Sequence, residues 1–231
     1  MLVQRLHDWN VAPPDAMRLQ RELAARVIAR GDPSESAVRF VAGCDVAFEK
    51  ARDRAVGVVV VLRYPELDLV EQTVVESPIA FPYVPGLLSF RETPLLVQAF
   101  ERLEHVPDLV MVDGHGYAHP RRFGIACHIG LLLGVPTIGV AKSRLVGEEG
   151  AVATPRGSRA DLVDAGEVIG SLLRTRDGVR PLYISVGHEI ALDAAERWAL
   201  RCARGYRLPE PTRLADQLAG EAKRRGSEGS A

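Results

Sequence analysis

Apolar and polar positions recur along this chain with two different periods, and the switches between them mark its elements. From Phe40 to Phe48 the period is two. Phe40, Ala42, Cys44, Val46 and Phe48 share one face, and Val41, Gly43, Asp45 and Ala47 share the other, as a strand requires. Two further runs, Gly57 to Leu62 and Leu69 to Val75, are joined by the turn Pro65-Glu66-Leu67-Asp68, so the three predict an antiparallel meander. The period then lengthens, and Leu95, Leu96, Ala99 and Leu103 form a helical stripe over 94–103. Leu109 to Val112 is a short, continuous apolar run of the buried-strand kind. A helix over about 122–133 and a strand from Pro136 to Val140 follow, which predicts a right-handed parallel crossover. Pro13-Pro14-Asp15 opens an earlier helix to about Ala29, with Leu19, Leu23 and Val27 along one side. Late in the chain, Val168 to Leu173 and Pro181 to Val186 predict a hairpin around Asp177-Gly178. Helices near 189–203 and 211–224 complete the core, and the polar, Gly/Ser-rich stretch 224–231 predicts a disordered tail.

Composition narrows the picture. The 231 residues are 47% hydrophobic, enough for one large core, and no linker or repeat divides them, so one domain is expected over 1–223. The net charge of −1 excludes a global field for nucleic acid, and any such surface must be a local patch. Cys44, Cys127 and Cys202 are odd in number and widely spaced, which argues for a reducing cytoplasm rather than a disulfide framework. The first ten residues lack a signal-peptide core, and no apolar run approaches membrane length. A soluble, cytoplasmic protein is expected.

Two acids interrupt this apolar pattern. Asp45 is the charge on the first strand, and Asp113 closes the run Leu109 to Val112. A carboxylate in such a place is costly unless it is paired or holds a metal. The strand and helix order is that of a ribonuclease H-like mixed sheet, with three antiparallel strands, then parallel ones, flanked by helices. In that fold acids come from the first strand, the next helix, the fourth strand and a late helix, where this chain has Asp45, Glu92, Asp113 and Asp216. Carboxylate oxygens suit Mg²⁺, with Mn²⁺ able to substitute, and no Cys/His spacing suggests zinc. The bland account is two buried carboxylates satisfied by arginine or backbone N–H groups. Glu92 has a bland account too, because Ser89 and Glu92 match a capping box. Pro94 speaks against it, since Thr93 as cap with Pro94 at the first helical position leaves Glu92 outside the helix and free to ligate. Asp216 lies on a C-terminal helix, where an acid is usually a solvated face.

The segment Gly114-His115-Gly116-Tyr117-Ala118-His119-Pro120-Arg121-Arg122 lets the backbone pass close to a ligand, and His119, Arg121 and Arg122 can then meet phosphate. His128 falls within a helix and reads as a packed residue. Lysine is rare, at positions 50, 142 and 223. Lys142 follows a buried strand, where it either snorkels or stabilises phosphate charge. The loop Phe81-Pro82-Tyr83-Val84-Pro85-Gly86 is stiffened by prolines and carries one aromatic near its tip. It is either a rigid connector or a wedge that fills the gap left by a flipped base.

With these residues in view, the blocks Phe81 to Glu92, Asp113 to Gly130 and Gly139 to Leu145, and the stretch Leu208-Pro209-Glu210-Pro211-Thr212-Arg213, resemble the signature blocks of the endonuclease V family. The resemblance covers nearly the whole chain. It implies a Mg²⁺-dependent nuclease of deoxyinosine-containing DNA, duplex or single-stranded, that cuts the second phosphodiester bond 3′ to the lesion and leaves a 3′-hydroxyl and a 5′-phosphate. It further implies metal at Asp45, Asp113 and Glu92 and a strand-separating wedge of Pro82, Tyr83, Val84 and Pro85. Lys142, offsetting phosphate charge, and His119, contacting phosphate or the metal shell, complete the expected catalytic group. Gly86, Leu88, Gly114, Ile125 and Gly139 would line the hypoxanthine pocket. The family places His or an acid at the position of Asp216, which keeps that residue among the metal ligands. A monomer is expected. An inosine-specific endoribonuclease and a non-catalytic inosine-DNA binder are the alternatives, and the intact set of Asp45, Glu92, Asp113 and Lys142 argues against the binder.

Overall fold

β1 (Phe40–Glu49), β2 (Arg54–Arg63) and β3 (Asp68–Pro78) form the expected antiparallel meander. This geometry comes from a computed structural model that describes residues 1–49 and 53–228, so Lys50 lies outside the described residues. β4 (Leu109–Val112) and β5 (Thr137–Ala141) join β1 in parallel, and β9 (Leu182–His188) then runs antiparallel to β5. β8 (Glu167–Leu173), β7 (Arg159–Asp164) and the short β6 (Glu148–Glu149) extend the sheet to its far edge. The order is β3-β2-β1-β4-β5-β9-β8-β7-β6, one mixed sheet whose first five strands follow the ribonuclease H-like arrangement.

Helices cover both faces. α2 (Leu88–Glu101) and α3 (Ile125–Leu133) lie on one, and α4 (Leu192–Arg201) and α5 (Glu210–Glu228) on the other. The unbroken apolar run of β2 reflects this. Val59 and Val61 pack on Leu95, Leu96 and Ala99 of α2, while Val56, Val58 and Val60 pack on Ala215 and Ala219 of α5. A strand buried on both faces has no place for a polar alternation. Gly43 brings α5 close, because a Cβ there would stand 2.0 Å from the Pro211 carbonyl oxygen. That close approach seats the first turns of α5 on the backbone of β1 and carries Asp216 toward the strand ends.

Several boundaries differ from the expectations. α1 (Pro13–Ala24) stops five residues before Ala29, and Val27 reaches the core from a tight turn in which Arg26 N–H meets Leu23 O and Val27 N–H meets Ala24 O. α3 begins at Ile125 rather than near Arg122. β7 has no counterpart in the predicted elements, since its Arg159, Asp161 and Asp164 hide the apolar signal of Leu162. α5 runs to Glu228, so 224–228 are helical where disorder was expected, and 229–231 lie outside the described residues.

The largest difference concerns Glu92 and Pro94. α2 begins at Leu88, which places Glu92 inside the helix and Pro94 in its interior. An interior proline costs about 3 kcal/mol. Phe90 outweighs it. That ring is 1% exposed and packs against His7, Trp9, Phe81 and His128, which holds the first turn helical before the proline is reached. Burial of one such ring and of Leu95 and Leu96 behind it contributes ~1.5–3 kcal/mol each, more than the proline removes. His128 is fully buried in that aromatic cluster, the packed residue expected of it.

Candidate active site

β4 ends at Val112, opposite Cys44 of β1, and the next residues on each strand are the two acids. Asp113 N–H still donates to Cys44 O at 3.3 Å, so the two carboxylates leave the sheet side by side. β1 itself runs on past Asp45, paired only with β2. Asp216 reaches the same point from α5, and one ligand oxygen each of Asp45, Asp113 and Asp216 lie within 4.8 Å of one another. Lys142, one residue beyond β5, bridges two of them, with Nζ 2.5 Å from Asp113 Oδ2 and 2.8 Å from Asp216 Oδ1. Glu92 stands behind this group, buried in α2, close enough for Asp45 and Asp113 to act on its charge.

The electrostatics show a cluster short of positive charge. Burial pushes the Asp45 carboxyl up to about 7, and the neighbouring Asp113 adds to the rise while Lys142 opposes it. Burial raises Asp113 as well, with Lys142 restraining it, and raises Glu92 well above the carboxylate range with help from Asp45 and Asp113. Lys142 is held above its ordinary value, because Asp113 and Asp216 outweigh the effect of burial. Hard oxygen donors that repel one another in a half-buried recess are suited to a divalent cation, which would supply the missing charge. The residues present therefore fit such an ion.

This arrangement predicts an unusual stability profile. In chelator, the folded protein takes up a proton at Asp45 near pH 7, while the unfolded chain takes it up only near 3.8. Between those values the folded state binds more protons, so stability falls as pH rises through the window. Buried His119, kept neutral in the folded protein, works in the opposite direction as the imidazole of the unfolded chain loses its proton. The Asp45 contribution is therefore read against a variant: in EDTA the melting temperature of the parent relative to that of Asp45→Asn is expected to be higher at pH 6 than at pH 8. The difference should be at least ~3 °C, since ~1 kcal/mol shifts a domain of this size by about 2–4 °C. Mg²⁺ should remove the parent's loss at pH 8, and a gap between parent and Asp45→Asn that stays constant from pH 6 to pH 8 in EDTA would show that the cluster is not under this strain.

A cavity of about 170 Å³ opens one residue after Asp113. Its walls are Tyr83 to Gly86 and Leu88 on one side, and Gly114, His115 and Ile125 on the other. The lip of the first wall is a type II turn, Val84-Pro85-Gly86-Leu87, with Pro85 at its second position and Leu87 N–H donating to Val84 O at 2.9 Å. Gly86 has φ +77°, which this turn requires and which glycine adopts without steric cost. Tyr83 stands 73% exposed at the rim, with Arg91 6.0 Å from its ring centroid. Pro82 and Pro85 are exposed beside it and Val84 is partly buried.

Four expected roles are altered by these contacts. Gly139 does not line the cavity, since it lies behind the far wall, where an added Cβ would meet Gly116 N at 2.5 Å and Gly114 O at 2.9 Å. His119 is 3% exposed and lines the cavity, bonded to its wall. Its Nε2 donates to Gly86 O at 3.0 Å, its Nδ1 accepts from Arg121 N–H, and burial holds it neutral, pushed down to about 4. Arg121 donates Nη2 to Gly86 O at 2.7 Å and Nε to Gln20 Oε1 at 2.5 Å, which makes it a support of the wall. Arg122 pairs with Asp164 and Glu167, both at 2.8 Å, so its charge is already cancelled.

Other lining residues were not expected at the cavity. Gln20, Ser89, His115 and Leu145 all face the cavity. Gln20 is the polar interruption of the face that α1 buries through Ala16 and Leu23, and that is a signal the sequence does carry. His115 donates Nε2 to Ser143 O at 2.9 Å and so ties the cavity wall to the Lys142 loop.

Comparison with known proteins agrees with this geometry. The endonuclease V family model matches residues 21–217. Endonuclease V of Gloeobacter violaceus is 52% identical over 213 residues, covering 91% of this chain and 86% of the relative. The crystal structure of endonuclease V from Streptomyces avermitilis superposes with a TM-score of 0.90 at 41% identity, over 98% of this chain and 100% of that one. Ciona intestinalis endonuclease V (D234N), solved in complex with a 23mer DNA containing an inosine followed by a ribo-adenosine, superposes with a TM-score of 0.82. The two are 27% identical over 93% of this chain and 99% of that one. With a family match that spans most of its length and relatives at this level of identity, the chain belongs to the endonuclease V family.

Proposed function

We propose that this protein recognises deoxyinosine in DNA and hydrolyses the second phosphodiester bond 3′ to it, with Mg²⁺ as its working ion. The observation that carries the reading is the direct join between the base-sized cavity and the acidic cluster, through consecutive Asp113 and Gly114. Residues 1–223 act as one nuclease unit in this reading, and the protein works as a cytoplasmic monomer. No described helix is long and apolar enough to cross a membrane.

The parts divide the work. Asp45, Asp113 and Glu92, with Asp216 from the other face of the sheet, would hold the ion, which would supply Lewis acidity and activate a water. Water attacks phosphorus, the new O–P bond forms as the bond to the 3′-oxygen breaks, and one proton of the water ends on that oxygen, leaving a 5′-phosphate and a 3′-hydroxyl. Lys142 sits where charge builds on the phosphate, fixed by Asp113 and Asp216. The cavity takes the base, with Gly86, Leu88, Gly114 and Ile125 at its walls. Because cavity and acids are adjacent rather than superposed, the cut falls beside the flipped nucleotide. Tyr83 fills the stack that the base leaves.

The deciding assay incubates matched deoxyinosine DNA and inosine RNA with Mg²⁺ and maps any nick. Cleavage of the DNA one nucleotide beyond the lesion supports the reading, and cleavage of the RNA alone overturns it. Binding should also weaken with salt, as phosphate contacts release counterions despite the net charge of −1. Arg122→Ala should leave the slope of log affinity against log salt unchanged, because Asp164 and Glu167 already neutralise that side chain. A slope reduced by about one would return Arg122 to the phosphate track.

A further inference from the structure

We propose that Gln20 is a positioning residue that sets base discrimination by holding the Gly86 peptide in place through Arg121. This rests on the cavity being the base site. Gln20 lies on α1, far in sequence from either wall, and is 0% exposed. A buried carboxamide is costly unless its groups are bonded. Here Nε2 donates to Gly86 O and to Phe123 O, both at 3.0 Å, and Oε1 accepts from Arg121 Nε at 2.5 Å. One side chain thus joins the turn on one wall of the cavity, the loop that leads into α3 and the guanidinium between them.

All three donors converge on one atom. Gly86 O accepts from Gln20 Nε2, from His119 Nε2 at 3.0 Å and from Arg121 Nη2 at 2.7 Å. A carbonyl has two lone pairs, so three donors on it are more than its hydrogen-bonding needs require. The surplus fixes direction. Gly86 O and Leu87 N–H belong to one peptide plane, and with Leu87 N–H donating to Val84 O that plane is anchored at both ends. With that plane fixed, Gly86 ψ is set and the turn stands at one position against the cavity.

Gln20 is the pivot of the three. Arg121 is partly exposed and lies against Arg21, whose like charge disfavours it there. Its bond to Gln20 Oε1 is what aims Nη2 at Gly86. His119 alone would remain if Gln20 were removed, and one bond leaves the peptide free to rock. A mobile wall still admits a base but reads it less strictly, because discrimination depends on donors and acceptors held in place.

The test compares affinities for one oligonucleotide carrying either deoxyinosine or deoxyadenosine, in Ca²⁺ so that no strand is cut. Gln20→Ala is expected to lower the preference for deoxyinosine about tenfold, with affinity for the deoxyadenosine strand within twofold of the parent. Arg121→Ala should give a similar loss, and the double variant no more than either, since residues that act as one unit are not additive. Amide hydrogen exchange across 84–88 in the free protein should quicken in Gln20→Ala and not in a surface control such as Arg18→Ala. Preserved discrimination, an equal loss for both strands, or additive losses would each overturn the proposal. A parent protein that fails to discriminate at all would instead sink the deoxyinosine reading, and unchanged exchange at 84–88 would by itself sink the role of Gln20.

Discussion

Asp45→Asn and Asp113→Asn are each expected to stop strand cleavage while leaving deoxyinosine binding intact. Asparagine keeps the shape of the side chain and removes the charge that a divalent cation needs. Losing a metal contact that stabilises transition-state charge by several kcal/mol lowers the rate by ~10³-fold or more. The cavity is built from other residues, so binding in Ca²⁺ should persist within a fewfold. A second readout separates this from simple damage to the fold. Asp45 has its carboxyl raised to about 7 by burial and by Asp113, which marks the ionised form as a source of instability at pH 8. Asp45→Asn should therefore raise the melting temperature in EDTA at pH 8 even as it abolishes nicking, the trade expected at a strained site. Nicking near the parent rate by either variant would remove that residue from the catalytic group. Inactivity with a lowered melting temperature would mean that the variant is merely unfolded.

Much of this was legible in the chain before its structure, and the exceptions share a cause. Period-two and continuous apolar runs gave β1, β2, β4 and β5 and placed Asp45 and Asp113 at neighbouring strand positions, because burial on one or both faces writes itself directly into residue type. Asp216 joined them although its helix surface looked solvated, since the close approach at Gly43 is a tertiary event that no local pattern reports. Glu92 was placed outside its helix because local rules weigh Pro94 fully and cannot see Phe90 locked among four aromatic rings. His119, Arg121 and Arg122 read as phosphate ligands because a Gly/Arg-rich loop has that composition. Their partners, Gly86 O, Gln20, Asp164 and Glu167, lie at least 33 residues away for all but the loop's own contacts. Residue type told what those side chains are able to do, and long-range contacts decided which of it they do.

Tyr83→Ala carries the second large effect. The ring is 73% exposed on a segment made stiff by Pro82 and Pro85, an arrangement that costs apolar exposure and gives little packing in the free protein. Arg91 lies 6.0 Å from its centroid and also 4.5 Å from the ring of Phe48, so the tyrosine is restrained on one side and open on the other. An open aromatic face beside a base-sized cavity is suited to occupying a vacated stack. Extrusion of a base costs a few kcal/mol, and a base–aromatic stack returns ~1–3 kcal/mol of it. Tyr83→Ala should weaken binding to duplex deoxyinosine by roughly ten- to a hundredfold on that basis. The loss should be smaller on a single strand, where less stacking must be broken, and 2-aminopurine beside the lesion should report reduced unstacking. Metal binding should not change, because Tyr83 belongs to the cavity and not to the acid cluster. Equal losses on duplex and single strand would make Tyr83 a general contact, and the wedge would then have to be sought in Val84 or in Leu145, which also line the cavity.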